Sequence, residues 1–231
     1  MYEILGTDSK ETFEQIYQHF ITRSGSAALL DYIETTDFFD APASAKYHLS
    51  RKGGLATHSI NVFHRLFRCM MEEYHQSNPW SMESLAIISL LHDLCKINTY
   101  VPTCKNVKSY AVEDLESCDR RSIKHDDGGD FIWKSVQTFA FDEDYTFGHG
   151  EKSVYIIQQF MRLTPDEAQA IRYHMGAWKN ADTNDAGKVF EKNHLALWLS
   201  IADQLSTFID EERMNTAKLK LSSLYGKSVS E

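Results

Sequence analysis

The chain lacks any apolar run approaching the roughly twenty residues a transmembrane helix needs; its longest uninterrupted stretches are a few residues. The N-terminal "MYEILGTDSKETFEQ" has no basic segment followed by an apolar one, so no signal peptide is expected and no membrane attachment is predicted. Four cysteines (Cys69, Cys95, Cys104, Cys118) form neither a CxxC pair nor a dense framework. That excludes a disulfide scaffold and a cysteine zinc clamp, and it predicts a reduced, cytoplasmic protein. Cations are scarce: 24 Lys and Arg face 33 Asp and Glu, a net charge of -9. Wrapping a long nucleic acid requires the opposite balance. A small phosphorylated substrate needs only a few local cations and remains compatible. Low-complexity stretches, internal repeats and linker compositions are missing too, so the 231 residues read as a single domain.

What is abundant is apolar and aromatic surface, at 42% and 12%, and histidine, of which there are ten. The apolar positions fall mostly at helical spacing. Phe13, Ile16, Tyr17 and Phe20 predict a helix over 9–22, with Asp8 or Ser9 as its cap. Ser24-Gly25-Ser26 breaks it, and a short helix through Tyr32 is expected next. Ile60, Phe63, Leu66, Phe67 and Met70 mark a strong helix from Leu55 to about "HQSNPW". Ser81 opens another, expected to run to about Ile97. Over 98–148 the pattern changes: "FIWKSVQTFAF" after Gly128-Gly129 is aromatic and β-branched, which predicts a β-hairpin or loop insertion. Helix resumes near Glu151. "TPDEAQAIRYHMG" carries Thr164 as N-cap, Pro165 in the first turn, Glu167 completing a capping box and Gly176 past the end. A last long helix is expected from His194 to about Arg213. The expected fold is an all-α helical bundle with a small insertion: an extension over 1–45, a core over 46–215, the insertion over 98–148 and a tail over 216–231.

Six residues of metal-ligand type interrupt apolar faces of these helices: His58, His92, Asp93, His149, His174 and Asp203. Burying such groups without partners costs several kcal/mol or a large pKa shift. Imidazole nitrogens and carboxylate oxygens together suit Mn, Fe, Co or Ni. His58, His92, Asp93 and Asp203 are expected to hold one divalent ion, and Asp93, His149 and His174 a second. Asp93, with two oxygens, bridges them. Taken singly, each has a plainer reading: His58 as a core histidine, His174 as a helix C-terminal histidine favoured by the macrodipole, Asp203 as a cap or a partner of Arg172.

The order His…His-Asp…His…His…Asp, carried by "GGLATHS", "LLHDLCK", "FGHGEKS", "YHMG" and "ADQLS", resembles the HD-domain superfamily of metal-dependent phosphohydrolases, in its binuclear subset. "APASAKYHLSRKGGLATH" is similar to the opening of the HD domains of bacterial 3′-to-5′ exoribonucleases. The OB-fold that precedes those domains has no counterpart in the helical pattern ahead of residue 46. The resemblance implies an HD-type bundle and hydrolysis of a nucleotide-like phosphomonoester or phosphodiester by a metal-bound hydroxide. Small nucleotides rank above polynucleotide ends, and guanosine tetraphosphate ranks lower still.

In that reading Asp93 orients the water and Lys96, at i+3, acts beside it on the same face. Lys96, Lys152 and Arg172 bind substrate phosphate; each also reads as a solvated charge or an ion pair, Arg172 most of all. His48 touches substrate or simply packs on Tyr47. Two other classes use the same ligands: a di-iron oxygenase of the HD fold, and a metal-binding regulatory module without turnover.

Overall fold

The computed structural model describes residues 9–143, 147–176 and 183–211. The expected cap Asp8, the expected end of the last helix at Arg213 and the tail 216–231 lie outside the described residues. The fold is mostly helical with one small sheet. Among the described residues α1 (Ser9–Phe20) and α2 (Ser26–Glu34) are joined through Gly25, which sits at φ 90°. A Cβ there would run into the Phe160 carbonyl, so this turn needs glycine twice over. The bundle continues with α3 (Gly54–Tyr74) and α4 (Met82–Leu91), the latter capped by the Ser81 side chain accepting from Ser84 N–H.

Helix α4 stops earlier than the apolar pattern suggests. His92 closes it, Asp93 leaves helical geometry at φ -102°, ψ 16°, and Leu94–Lys96 form a single 3-10 turn. The His-Asp pair therefore stands at a helix end, where backbone can be shaped to a site.

The insertion is more than a hairpin. It holds β1 (Tyr100–Ser109), a short α5 (Val112–Ser117), β2 (Lys124–Asp126) and β3 (Gly129–Phe141) in an antiparallel sheet of order β1-β3-β2. The Asp127-Gly128 turn joins β2 to β3 with Asp126 opposite Gly129, and β1 pairs along β3 from Tyr100↔Phe141 to Ser109↔Ile132. An all-α fold is thus corrected to a mainly helical one carrying a three-stranded sheet.

The second half returns to helix: α6 (His149–Gln158), α7 (Pro165–Tyr173), α8 (Thr183–Lys192) and α9 (His194–Leu205). α7 starts on the anticipated capping box, with Thr164 and Glu167 exchanging side-chain and backbone hydrogen bonds. α9 ends in a π-helical turn, Ser206–Asp210. The core is one cluster drawn from α1, α2, α3, α4, α6, α7 and α9, including fully buried Phe13, Leu29, Leu66, Leu90, Ile157, Ile171 and Leu199. α3 packs on α4 and α9, and α7 packs on α6, α9 and α4. Those contacts bring five chain segments to one point. No helix among the described residues is long and apolar enough to cross a membrane.

Candidate metal centre

Each of the six residues enters the core for a local reason. His58 shares its face of α3 with Leu55, Val62 and Leu66, all fully buried, so burying that stripe carries the imidazole inward. His92 and His174 occupy equivalent places, each the C-terminal cap of its helix. Each donates its Nδ1–H to the carbonyl three residues back, His92 to Ser89 at 2.8 Å and His174 to Ile171 at 2.6 Å. These bonds satisfy a terminal carbonyl and leave Nε2 as the free, inward nitrogen. His149 is the first residue of α6. Asp203 comes from α9, and Asp93 follows His92.

The ends of α6 and α7 meet at Gly150, where a Cβ would fall on the backbone of Ile171 and Arg172. Gly150→Ala is therefore expected to push apart the helix ends that carry His149 and His174. The destabilisation should be about 1–3 kcal/mol, as for other overpacked sites. Metal affinity should fall with it, checked by chemical denaturation and metal titration of the same variant.

Asp93 lies at the centre of the cluster. Its Oδ2 is 3.4 Å from His58 Nε2 and 3.5 Å from His92 Nε2. Its Oδ1 is 2.8 Å from His149 Nε2 and 3.6 Å from His174 Nε2. The two oxygens thus face two different histidine pairs. Asp203 Oδ1 completes the first group at 3.2 Å from His58 Nε2. His58, His92 and Asp203 offer donor atoms within 4.8 Å of one another, and so do His92, Asp93 and His174.

Two features fit this set to divalent cations. The Nε2 atoms of His58 and His92 face each other at 3.2 Å; two lone pairs so close repel unless a proton or a cation lies between them. His174 Nε2 is fully buried and has no hydrogen-bond partner, an arrangement that is costly for a nitrogen with nothing to bind. Ligand bonds of about 2.0–2.2 Å produce donor separations of about 3.0–3.5 Å, the spacing found around Asp93.

The electrostatics follow from burial and crowding. Burial drives His92 down to about 3 and, against the hydrogen bond that it donates to Asp93, His149 down to about 4. Burial also opposes charge on His58, but the Glu211 and Asp203 carboxylates outweigh it and raise the ring to about 10. Asp93 and Asp203 are buried as well, yet their cationic and histidine neighbours hold both below the usual carboxylate range. His92 and His149, neutral beside ionised carboxylates, are already in the form that ligates metals, whereas His58 must first give up a proton.

The expected substrate cations are placed differently from one another. Lys96 Nζ is 2.6 Å from Asp93 Oδ2 and donates to the Ala43 carbonyl at 2.6 Å, so it braces the carboxylate and the loop before His48. Lys152 donates to Glu143 at 2.8 Å. Arg172 pairs with Glu151 at 2.6 Å and is half exposed, not paired with Asp203. The ion-pair reading therefore describes all three side chains. His48 is buried, edge-on to His58, with its Nδ1 2.7 Å from Glu211.

Of two further neighbours, Cys95 is expected from the sequence only to pack beside the site, and Glu211 carries no such expectation. Cys95 has its thiol 3.3 Å from His149 Nδ1, and burial raises it to about 12, so it remains a neutral thiol. Glu211 lies against both His48 and His58. Eight residues of α-helix would leave it about 80° round from Asp203. The π-helical turn, closed by Glu211 N–H donating to the Ser206 carbonyl at 3.1 Å, changes that register. The acidic run at 210–212 is the one sequence signal for it.

Compared with protein-family models, with curated proteins and with solved structures, the chain matches none.

Proposed function

We propose that this chain is a metal-dependent phosphohydrolase of the HD type that acts on a small nucleotide-like phosphomonoester or phosphodiester. The observation that carries the reading is Asp93, whose two oxygens face separate histidine pairs. His58, His92, Asp203 and Asp93 would hold one divalent ion; Asp93, His149 and His174 would hold the other. When bound, such ions supply Lewis-acid stabilisation of phosphoryl oxygens and acidify water.

The protein's own groups do the rest. The Ser89 and Ile171 carbonyls fix two ligand rings through their Nδ1–H groups. Lys96 holds Asp93 ionised and oriented, which makes it a bracing residue for the reacting centre. Phosphate contact falls to Lys152, in the first turn of α6, since a helix N-terminus also favours anions. Lys152 must leave Glu143 to make it, so substrate and Glu143 compete for one ammonium. Arg172, farther out and half exposed, would reach only a larger substrate. The acidic net charge of -9 favours small nucleotides over long nucleic acid.

The test is hydrolysis of p-nitrophenyl phosphate, bis-p-nitrophenyl phosphate and a nucleotide panel, with Mn, Fe, Co or Ni added and with chelator. Turnover that chelator abolishes and metal restores is the expected result. A folded, metal-loaded protein that hydrolyses none of them would sink the reading, and turnover requiring iron and dioxygen would replace it with an oxygenase.

A further inference from the structure

Glu211 belongs to no expected ligand set, yet its side chain is wholly buried within the cluster. Three donors converge on it: His58 Nδ1 at 2.8 Å on Oε1, Asn61 Nδ2 at 3.1 Å on Oε1 and His48 Nδ1 at 2.7 Å on Oε2. A neutral imidazole has one N–H. If the Nδ1–H of His58 is committed to Glu211, its lone pair is on Nε2, the atom that faces His92, Asp93 and Asp203. His92 and His174 reach the same tautomer through backbone carbonyls at their helix ends, but His58 sits one turn into α3, where the helix itself takes up the carbonyls. A carboxylate delivered from the end of the π turn takes that role. His48 on the opposite oxygen and Asn61 from the next turn of α3 leave Glu211 little freedom to turn away.

We infer that Glu211 is the positioning residue of the first metal ligand, fixing the tautomer and orientation of His58 and raising its basicity toward a divalent cation. This inference rests on the metal reading above. A carboxylate behind a ligating histidine strengthens the ligand, and removing such a partner weakens metal binding roughly 10–100-fold. The same contact makes metal affinity depend on the π turn at Ser206–Asp210, which is what brings Glu211 round.

The test uses the full chain, Co(II) as a visible probe and Zn(II) for magnetic resonance. Glu211→Gln keeps the size of the side chain and one acceptor but removes its charge. It should bind Co(II) roughly 10–100-fold more weakly than the unsubstituted protein, with altered d–d absorption of the bound ion, a signature that packing loss alone would not move. In the unsubstituted protein loaded with Zn(II), nitrogen-15 spectra should show His58 bound through Nε2 with a hydrogen-bonded Nδ1–H. That measurement decides the matter even if Glu211→Gln does not fold. Unchanged affinity and absorption in Glu211→Gln, or a His58 bound through Nδ1, would overturn the inference while leaving the metal reading standing. An unsubstituted protein that takes up neither ion would overturn both.

Discussion

Asp93→Ala is expected to lose both ions and all metal-dependent turnover, because each histidine pair loses the carboxylate oxygen that faces it. Metal affinity should fall by more than roughly 100-fold, since even changes one shell further out cost about 10–100-fold. The damage extends beyond ligation. Lys96 is buried with its ammonium on Asp93 Oδ2, and burial otherwise disfavours that charge. Removing one partner of a buried ion pair costs about 3–5 kcal/mol through the charge left behind. The double variant Asp93→Ala, Lys96→Met should therefore be more stable than Asp93→Ala alone while binding no more metal. Urea denaturation and metal analysis of the three proteins separate the two effects. Two ions retained in Asp93→Ala would remove Asp93 from its bridging role.

The second large effect is a coupling of metal to protons. In metal-stripped protein His58 titrates near 10, above its ordinary value, because the Glu211 and Asp203 carboxylates outweigh its burial. At neutral pH it therefore carries protons on both nitrogens, and the one on Nε2 must leave before a cation can bind there. His92 and His149, pushed down to about 3 and about 4, are already neutral at pH 6 and release nothing. The sign follows: binding releases about one proton per chain at pH 7, and affinity rises about tenfold per pH unit between pH 6 and 8. Titration calorimetry of Mn(II) in buffers of different ionisation heat reads the proton count directly. Affinity that stays flat across that range would mean that His58 is already neutral before the ion arrives, or that it is not a ligand.

The parts of the site that were readable in the sequence are those that break a helical pattern. His58, His92 and Asp203 are polar residues on faces that are otherwise apolar, and helical periodicity alone sends them inward. The start of α7 was readable because a capping box is purely local, three residues from Thr164 to Glu167. What could not be read depends on tertiary neighbours or on departures from helical geometry. Glu143 and Glu151 take up Lys152 and Arg172 through contacts that the sequence does not foretell. α4 ends at Leu91 although Leu94 and Ile97 continue its helical spacing, because the backbone bends at Asp93. Glu211 was hidden because a π turn changes the register by which faces are counted. The third strand was hidden for a simpler reason: β2 is three residues long, too short to show alternation.

Metal content of the protein purified without chelator, with stoichiometry checked after adding Mn(II), tests the central claim most directly. Two ions per chain, both lost in Asp93→Ala, is the predicted result; a folded protein that arrives without metal and takes up none would contradict it.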